Sequence, residues 1–169
     1  RPLILDADGL NQLAQLGTIS TLSERRAPTL LTPHPGEFKR LFPDLGNWGN
    51  PIAVTQEAAR LSGAIVILKG ARVCIATPET VAVNPESTPA LARGGSGDVL
   101  TGLLGGLLAI GALSQIASLQ DFPPELTAQI AVWWHARAGI LAARDRTELG
   151  VDAFTLTQYL TSKELFDIS

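Results

Sequence analysis

The sequence predicts an α/β fold built on a mostly parallel central sheet, and three observations carry that reading. Three short runs, LILDAD (Leu3 to Asp8), TLLTP (Thr29 to Pro33) and AIVILKG (Ala64 to Gly70), are almost continuously apolar and end in polar residues, Gly or Pro. Strands covered on both faces look like this. Helical patterns separate the runs, the βαβ alternation that sets strands in parallel. The 169 residues, 46% hydrophobic and 17% charged, suit one domain around one core.

Taken in order, the first strand ends in acids, Asp6 and Asp8, and begins at Arg1 with neither a starting Met nor a basic-then-apolar targeting pattern. The chain is therefore expected to be the later part of something longer, and this strand to be an interior one. LNQLAQL follows as a helix. After TLLTP, the stretch TPHPGEFKRL turns into a short helix behind two prolines, and NWGNP reads as a loop within the domain. PIAVTQEAARLSG is a helix that opens on Pro51 and closes at Gly63. Beyond Lys69 the pattern shortens to RVCIAT and TVAVN, two strands joined as a hairpin near one sheet edge. PPELTAQIAVWWHARAGILAARDR is a long helix started by Pro123 and Pro124, and TLTQYL begins another. No internal repeat or low-complexity linker interrupts the chain.

ARGGSGDVLTG is the most informative stretch. Gly94, Gly95, Ser96 and Gly97 allow positive φ, so several N–H groups can converge on one anion. Asp98 then stands in the first turn of a helix whose unpaired N–H groups and dipole favour phosphate. The turn lacks the Lys-Ser/Thr ending of a P-loop and the strand context of a dinucleotide fingerprint, so on its own it also fits a tight turn with Asp98 as a helix cap. Residues 99–120 carry no charge, and Gly102 and Gly106 have the spacing of paired membrane helices. Ser114, Gln115 and Ser118 break that run and no basic residue anchors it, which favours a buried helix pressed on the sheet.

A second set of polar groups gathers where strands end. His34 is held between Pro33 and Pro35, ahead of Gly36 and Glu37, while Asp6, Asp8 and Asn11 close the preceding strand on the same edge. Ligands of open α/β sheets bind at that edge. A net charge of −3 and a pI near 5.3 offer no basic field for nucleic acid or an anionic bilayer. The single Cys74 lies in an apolar run and reads as a small core hydrophobe in a reducing compartment. His34 and His135 are the two histidines, and neither belongs to a metal-ligand cluster, so no protein metal site is expected. Trp133, Trp134 and His135 are expected in core packing or a subunit contact.

DADGLN, LTPHPGE, VILKGARV and ARGGSGDVLTG, in this order, resemble the ADP/ATP-dependent NAD(P)H-hydrate dehydratases of the ribokinase-like superfamily. The resemblance covers most of the chain and the later, larger part of the family's domain. It implies a three-layer α/β/α fold whose first strands are absent from this chain, with residues 1–169 as one N-terminally truncated domain. Ser96 stands where many members have Thr and keeps the hydroxyl, whereas Arg72 and Cys74 fall where Gly or Thr is more usual. The implied activity is repair of hydrated NADH and NADPH (NADHX, NADPHX): a nucleotide phosphorylates the hydroxyl, and loss of phosphate restores the double bond. The resemblance assigns Asp98 to catalysis and to the substrate. It assigns His34, Asp8, Asn11 and Glu37 to the substrate pocket. To the nucleotide it assigns Lys69, Gly70, Ala71, Arg72, Val73, Gly95, Ser96 and Gly97. Mg²⁺ with ADP or ATP is expected, as are a homo-oligomer, a cytoplasmic location and an NAD(P)HX epimerase fused to the chain or acting with it; nucleic acid and membrane are not. Two other readings stand beside it: a kinase of the same fold acting on a small alcohol such as a thiazole or pyrimidine vitamin precursor, and a non-catalytic nucleotide-binding fragment.

Overall fold

A computed structural model describes residues 1–45, 49–113 and 122–166. Five strands form one sheet in the order β1 (Leu3–Leu5), β2 (Thr29–Leu31), β3 (Ile65–Leu68), β4 (Cys74–Ala76) and β5 (Val81–Val83). The first three pair in parallel, with Leu3 opposite Thr29 and Leu30 opposite Ile65. β4 and β5 are antiparallel, with Leu68 opposite Cys74 and Cys74 opposite Val83. The expected strands are therefore all present, each shorter than its apolar run, because the polar ends leave the ladder and turn toward the sheet's edge. The two parallel crossovers run through α1 (Asp8–Leu16), and through α2 (Pro35–Leu41) and α3 (Pro51–Ser62).

Both faces of the sheet are covered, which is why the strand sequences do not alternate. Leu31, Val66, Leu68, Cys74 and Ala76 point to one side, into a core with Leu10 and Leu13 of α1, Phe38 and Leu41 of α2, and Val54, Ala58 and Ala59 of α3. Leu30, Ile65, Ile67 and Ile75 point to the other, against Leu100, Leu104 and Leu108 of α4 (Ser96–Leu113) and Ala128, Ala131 and Val132 of α5 (Pro124–Arg146). The result is three layers, helix on sheet on helix. A third cluster joins Ala138, Leu141 and Ala142 of α5 to Val151 and to Leu156 of α6 (Ala153–Tyr159). Half-buried Trp134 packs against that cluster and its indole N–H donates to the Leu160 carbonyl at 2.8 Å. Cys74 is a free, buried thiol, as its apolar run implies.

Helix ends follow their sequence signals. Asn50 accepts from the Ala53 N–H ahead of Pro51, and Gly63 closes α3 at φ +65. Asp98 does not cap α4: the helix begins at Ser96, which puts Asp98 within its first turn. Residues 47 and 48 of the expected loop, and residues 114–120 of the uncharged run, lie outside the described residues. Among the described residues no helix is long and apolar enough to cross a membrane.

Candidate active site

One cavity of about 760 Å³ opens where β1, β2 and β3 end and α4 begins. That is the carboxyl edge of a parallel sheet, where loops diverge and leave a crevice. The chain reverses at Ala7, whose φ of +46 is rare for a residue with a Cβ. The bend ends β1 and lets the Gly9 N–H reach the Asp6 carbonyl at 2.9 Å, so α1 starts at once while the Asp6 side chain stays at the cavity.

Asp6 is the electrostatic centre. Lys69 Nζ, from the end of β3, donates to Asp6 Oδ1 at 2.8 Å, and Thr101 Oγ1, from α4, donates to Oδ2 at 2.8 Å. Burial works to raise the Asp6 carboxyl, but the bonds from Lys69 and Thr101, the Lys69 charge and a bond from Thr32 outweigh it and hold the group below its ordinary range. Gly97 sits over this pair: a Cβ there would lie 3.3 Å from Lys69 Nζ and 3.6 Å from Asp6 Oδ2.

The glycine-rich turn forms the cavity's other wall. Gly95 has φ +87, and an added Cβ would meet Ala153 Cβ at 2.8 Å, so the turn requires glycine twice over. Ser96 is buried, and below it lies His135 of α5, with Nε2 2.9 Å from the Ser96 carbonyl oxygen and 3.3 Å from Ser96 Oγ. Burial above all pushes the His135 imidazole down to about 4; the Lys69 charge acts in the same direction, against the Ser96 backbone bond. The ring is neutral, and because a carbonyl only accepts, Nε2 carries its proton. Asp98 is exposed at the cavity, and its carboxylate has no hydrogen-bond partner among the described residues.

His34 and Glu37 reach the cavity already engaged with each other. His34 Nδ1 accepts from the Gly36 N–H at 2.9 Å and the Glu37 N–H at 3.3 Å, and Glu37 Oε2 accepts from the His34 N–H at 2.8 Å. This reciprocal cap starts α2. Glu37 is almost enclosed, with its side chain 6% exposed against 52% for His34, and its Oε1 lies 3.4 Å from His34 Nε2, so the pair meets solvent through the imidazole.

The structure thus brings His34, Glu37, Lys69, Gly70, Ala71 and Val73 to one cavity with Gly95, Ser96, Gly97 and Asp98. Three expected residues do not line it. Asp8 is the exposed first residue of α1, beyond the bend at Ala7. Asn11 Oδ1 accepts from Arg40 Nε at 3.1 Å and serves to tie α1 to α2. Arg72 points out of the turn between β3 and β4, exposed to solvent. The cavity adds His135 and the segment from Glu86 to Arg93, which were not expected there, and makes Asp6, expected at this edge, its anchor. Asp6 carried a signal, a carboxylate at the end of an apolar strand. The 86–93 segment has no periodicity, and His135 looks like any polar residue in a helix. Among the described residues no group of three His, Cys, Asp or Glu is placed to hold a metal ion.

Comparison with known proteins places the chain in a family. A family model described as NAD(P)H-hydrate dehydratase matches residues 1–162. The chain belongs to the NAD(P)H-hydrate dehydratase family. Among its relatives, the bifunctional NAD(P)H-hydrate repair enzyme Nnr of Synechocystis sp. is 55% identical over 161 residues, 94% of this chain and 29% of that protein. The ADP/ATP-dependent NAD(P)H-hydrate dehydratase of Bacillus subtilis, co-crystallised with ATP/Mg²⁺, superposes with TM-score 0.76 at 30% identity, covering 94% of this chain and 52% of that one. A ribokinase-like superfamily protein of Enterococcus faecalis gives TM-score 0.74 at 27% identity over 95% of this chain and 51% of its own. The fold is therefore ribokinase-like, and dehydratase membership is favoured over the small-alcohol kinase. The chain spans about three tenths of the curated relative and about half of each solved chain.

Proposed function

We propose that this chain carries the nucleotide-dependent dehydration of hydrated NADH and NADPH, with Asp98 as the base. The observation that supports it most is the meeting of an exposed, unpartnered Asp98 with the glycine-rich helix start and the Lys69–Asp6 pair in one cavity of a dehydratase-family chain. Phosphoryl transfer asks for positioning and charge stabilisation. Unpaired backbone N–H groups at the glycine-rich start of α4, that of Gly97 among them, and the α4 dipole supply both at the transferring phosphoryl. Asp98 takes the proton of the substrate hydroxyl as its oxygen attacks phosphorus, and the bond to the nucleotide breaks with its electron pair going to the departing nucleotide. The C–O bond of the phosphorylated hydrate then breaks, inorganic phosphate leaves with that pair, and a proton leaves the neighbouring carbon to restore the double bond.

Lys69, Gly70, Ala71 and Val73 flank the nucleotide in this reading, and the exposed edge of His34, propped by Glu37, faces the hydrated ring. Phosphate oxygens and water would hold Mg²⁺ beside Asp98, since no protein cage exists among the described residues. When bound there, the ion offsets phosphate charge. We further propose ADP or ATP as donor, a homo-oligomer, a cytoplasmic setting, and an epimerase partner; the curated relative's description as bifunctional supports the last.

The test mixes the chain with hydrated NADH, Mg²⁺ and ADP or ATP and follows the return of reduced-nicotinamide absorbance, with Asp98→Asn as control. Return with either nucleotide, lost in the variant, is the expected result. Absence of both return and any nucleotide-induced rise in Tm overturns the reading.

A further inference from the structure

We propose that His135 is a positioning residue for phosphoryl transfer, aiming the Gly97 N–H at the anion by holding the Ser96 carbonyl. The inference rests on the dehydratase reading above. Ser96 C=O and Gly97 N–H belong to one peptide unit, which is planar, and no described bond is cis, so the two groups point in opposite directions. A donor that captures the carbonyl therefore sets the direction of the N–H. His135 Nε2 is that donor, at 2.9 Å.

The Gly97 N–H is one of the unpaired donors at the start of α4. Two nearby donors are spent: the Ser96 N–H goes to the Arg93 carbonyl at 3.3 Å and the Val99 N–H to the Gly95 carbonyl at 3.1 Å. The Ser96–Gly97 peptide opens α4, held by the helix on one side and flanked by glycine on the other, so a second donor on the Ser96 carbonyl sharpens its direction. His135 adds this restraint from a rigid place. It is 7% exposed, on the long helix α5, one turn beyond Val132, which packs on the same apolar cluster as Leu100 and Leu104 of α4. The clamp is thus carried by the helix that packs on α4, so cradle and clamp move together. Burial above all, and with it the charge of Lys69 beyond the end of β3, keeps the ring neutral, and the Ser96 carbonyl takes its Nε2–H.

His135→Gln keeps an N–H near the position of Nε2, whereas His135→Leu fills the volume without a donor. In the hydrate assay His135→Leu is expected to raise the nucleotide KM and lower kcat, for a loss of about tenfold in kcat/KM. KM for the hydrate stays within about twofold, and His135→Gln recovers most of the loss. A purely structural role would lower Tm and the active fraction while leaving both KM values unchanged. Wild-type nucleotide KM in a folded His135→Leu chain, or equal losses in the two variants, overturns the proposal. Should His135→Leu fail to fold, ¹⁵N NMR of the wild-type chain decides: a neutral ring protonated at Nε2 at pH 7 is expected, and protonation at Nδ1 overturns the clamp. A wild-type chain without turnover or nucleotide binding refutes the parent reading instead.

Discussion

Lys69 and Asp6, at the ends of two strands that are not neighbours in the sheet, meet at 2.8 Å across β2. Their side chains are 22% and 11% exposed, so the pair is largely withdrawn from water. Removing one partner leaves a buried charge uncompensated, which costs more than the pair is worth. Lys69→Met should lower unfolding free energy by roughly 3 kcal/mol in urea denaturation. The double variant with Asp6→Asn should recover at least a third of that. Additive losses would show that the two groups are not coupled.

Asp98 differs because nothing in the described structure depends on its carboxylate. Asp98→Asn should leave Tm within about 2 °C and keep the ADP-induced rise in Tm, while kcat falls by roughly 10²- to 10⁴-fold, the usual range for a lost general base. A fall in nucleotide affinity of the same size would make Asp98 a binding group instead.

Gly95 and Gly97 should respond oppositely to alanine. At Gly95 the φ of +87 and the Ala153 Cβ at 2.8 Å oppose a side chain, so Gly95→Ala should cost about 1–3 kcal/mol of stability. Gly97 lies in the helix, and its added methyl meets side-chain ends alone, Lys69 Nζ at 3.3 Å and Asp6 Oδ2 at 3.6 Å. Gly97→Ala should change stability by less than about 1 kcal/mol while weakening nucleotide binding, measured by calorimetry, about tenfold through displacement of Lys69 from the cradle.

Acid should unfold the chain from this site. His135 is held down to about 4 in the folded state against 6.5 for an ordinary imidazole, so the unfolded chain binds a proton that the folded chain refuses. Its stabilising effect is complete above pH 6.5, declines as pH falls, and is lost by about pH 4, a swing of roughly 3 kcal/mol. Asp6, also held down, contributes above its ordinary value and loses that contribution at still lower pH. In His135→Gln the decline in urea-measured stability between pH 6.5 and 4 should flatten; an unchanged slope would assign it to other groups.

The chain's local order was legible without coordinates. Apolar runs named β1 to β5, Pro51 with Gly63 bracketed α3, and the glycine turn marked the start of α4, because periodicity, φ preferences and capping act over a few residues. Polar groups at strand ends pointed to the edge of the sheet where the cavity opens. Tertiary structure decided which of them meet. Thr101 reaches Asp6 across 95 positions and His135 reaches Ser96 across 39, while Asn11, as suggestive as any in the sequence, is taken by Arg40. A bend at Ala7 separates Asp6, turned inward, from Asp8, turned out. Such choices depend on how two helical layers pack on one sheet, and no spacing along the chain encodes a distance between elements that only the shared core brings together.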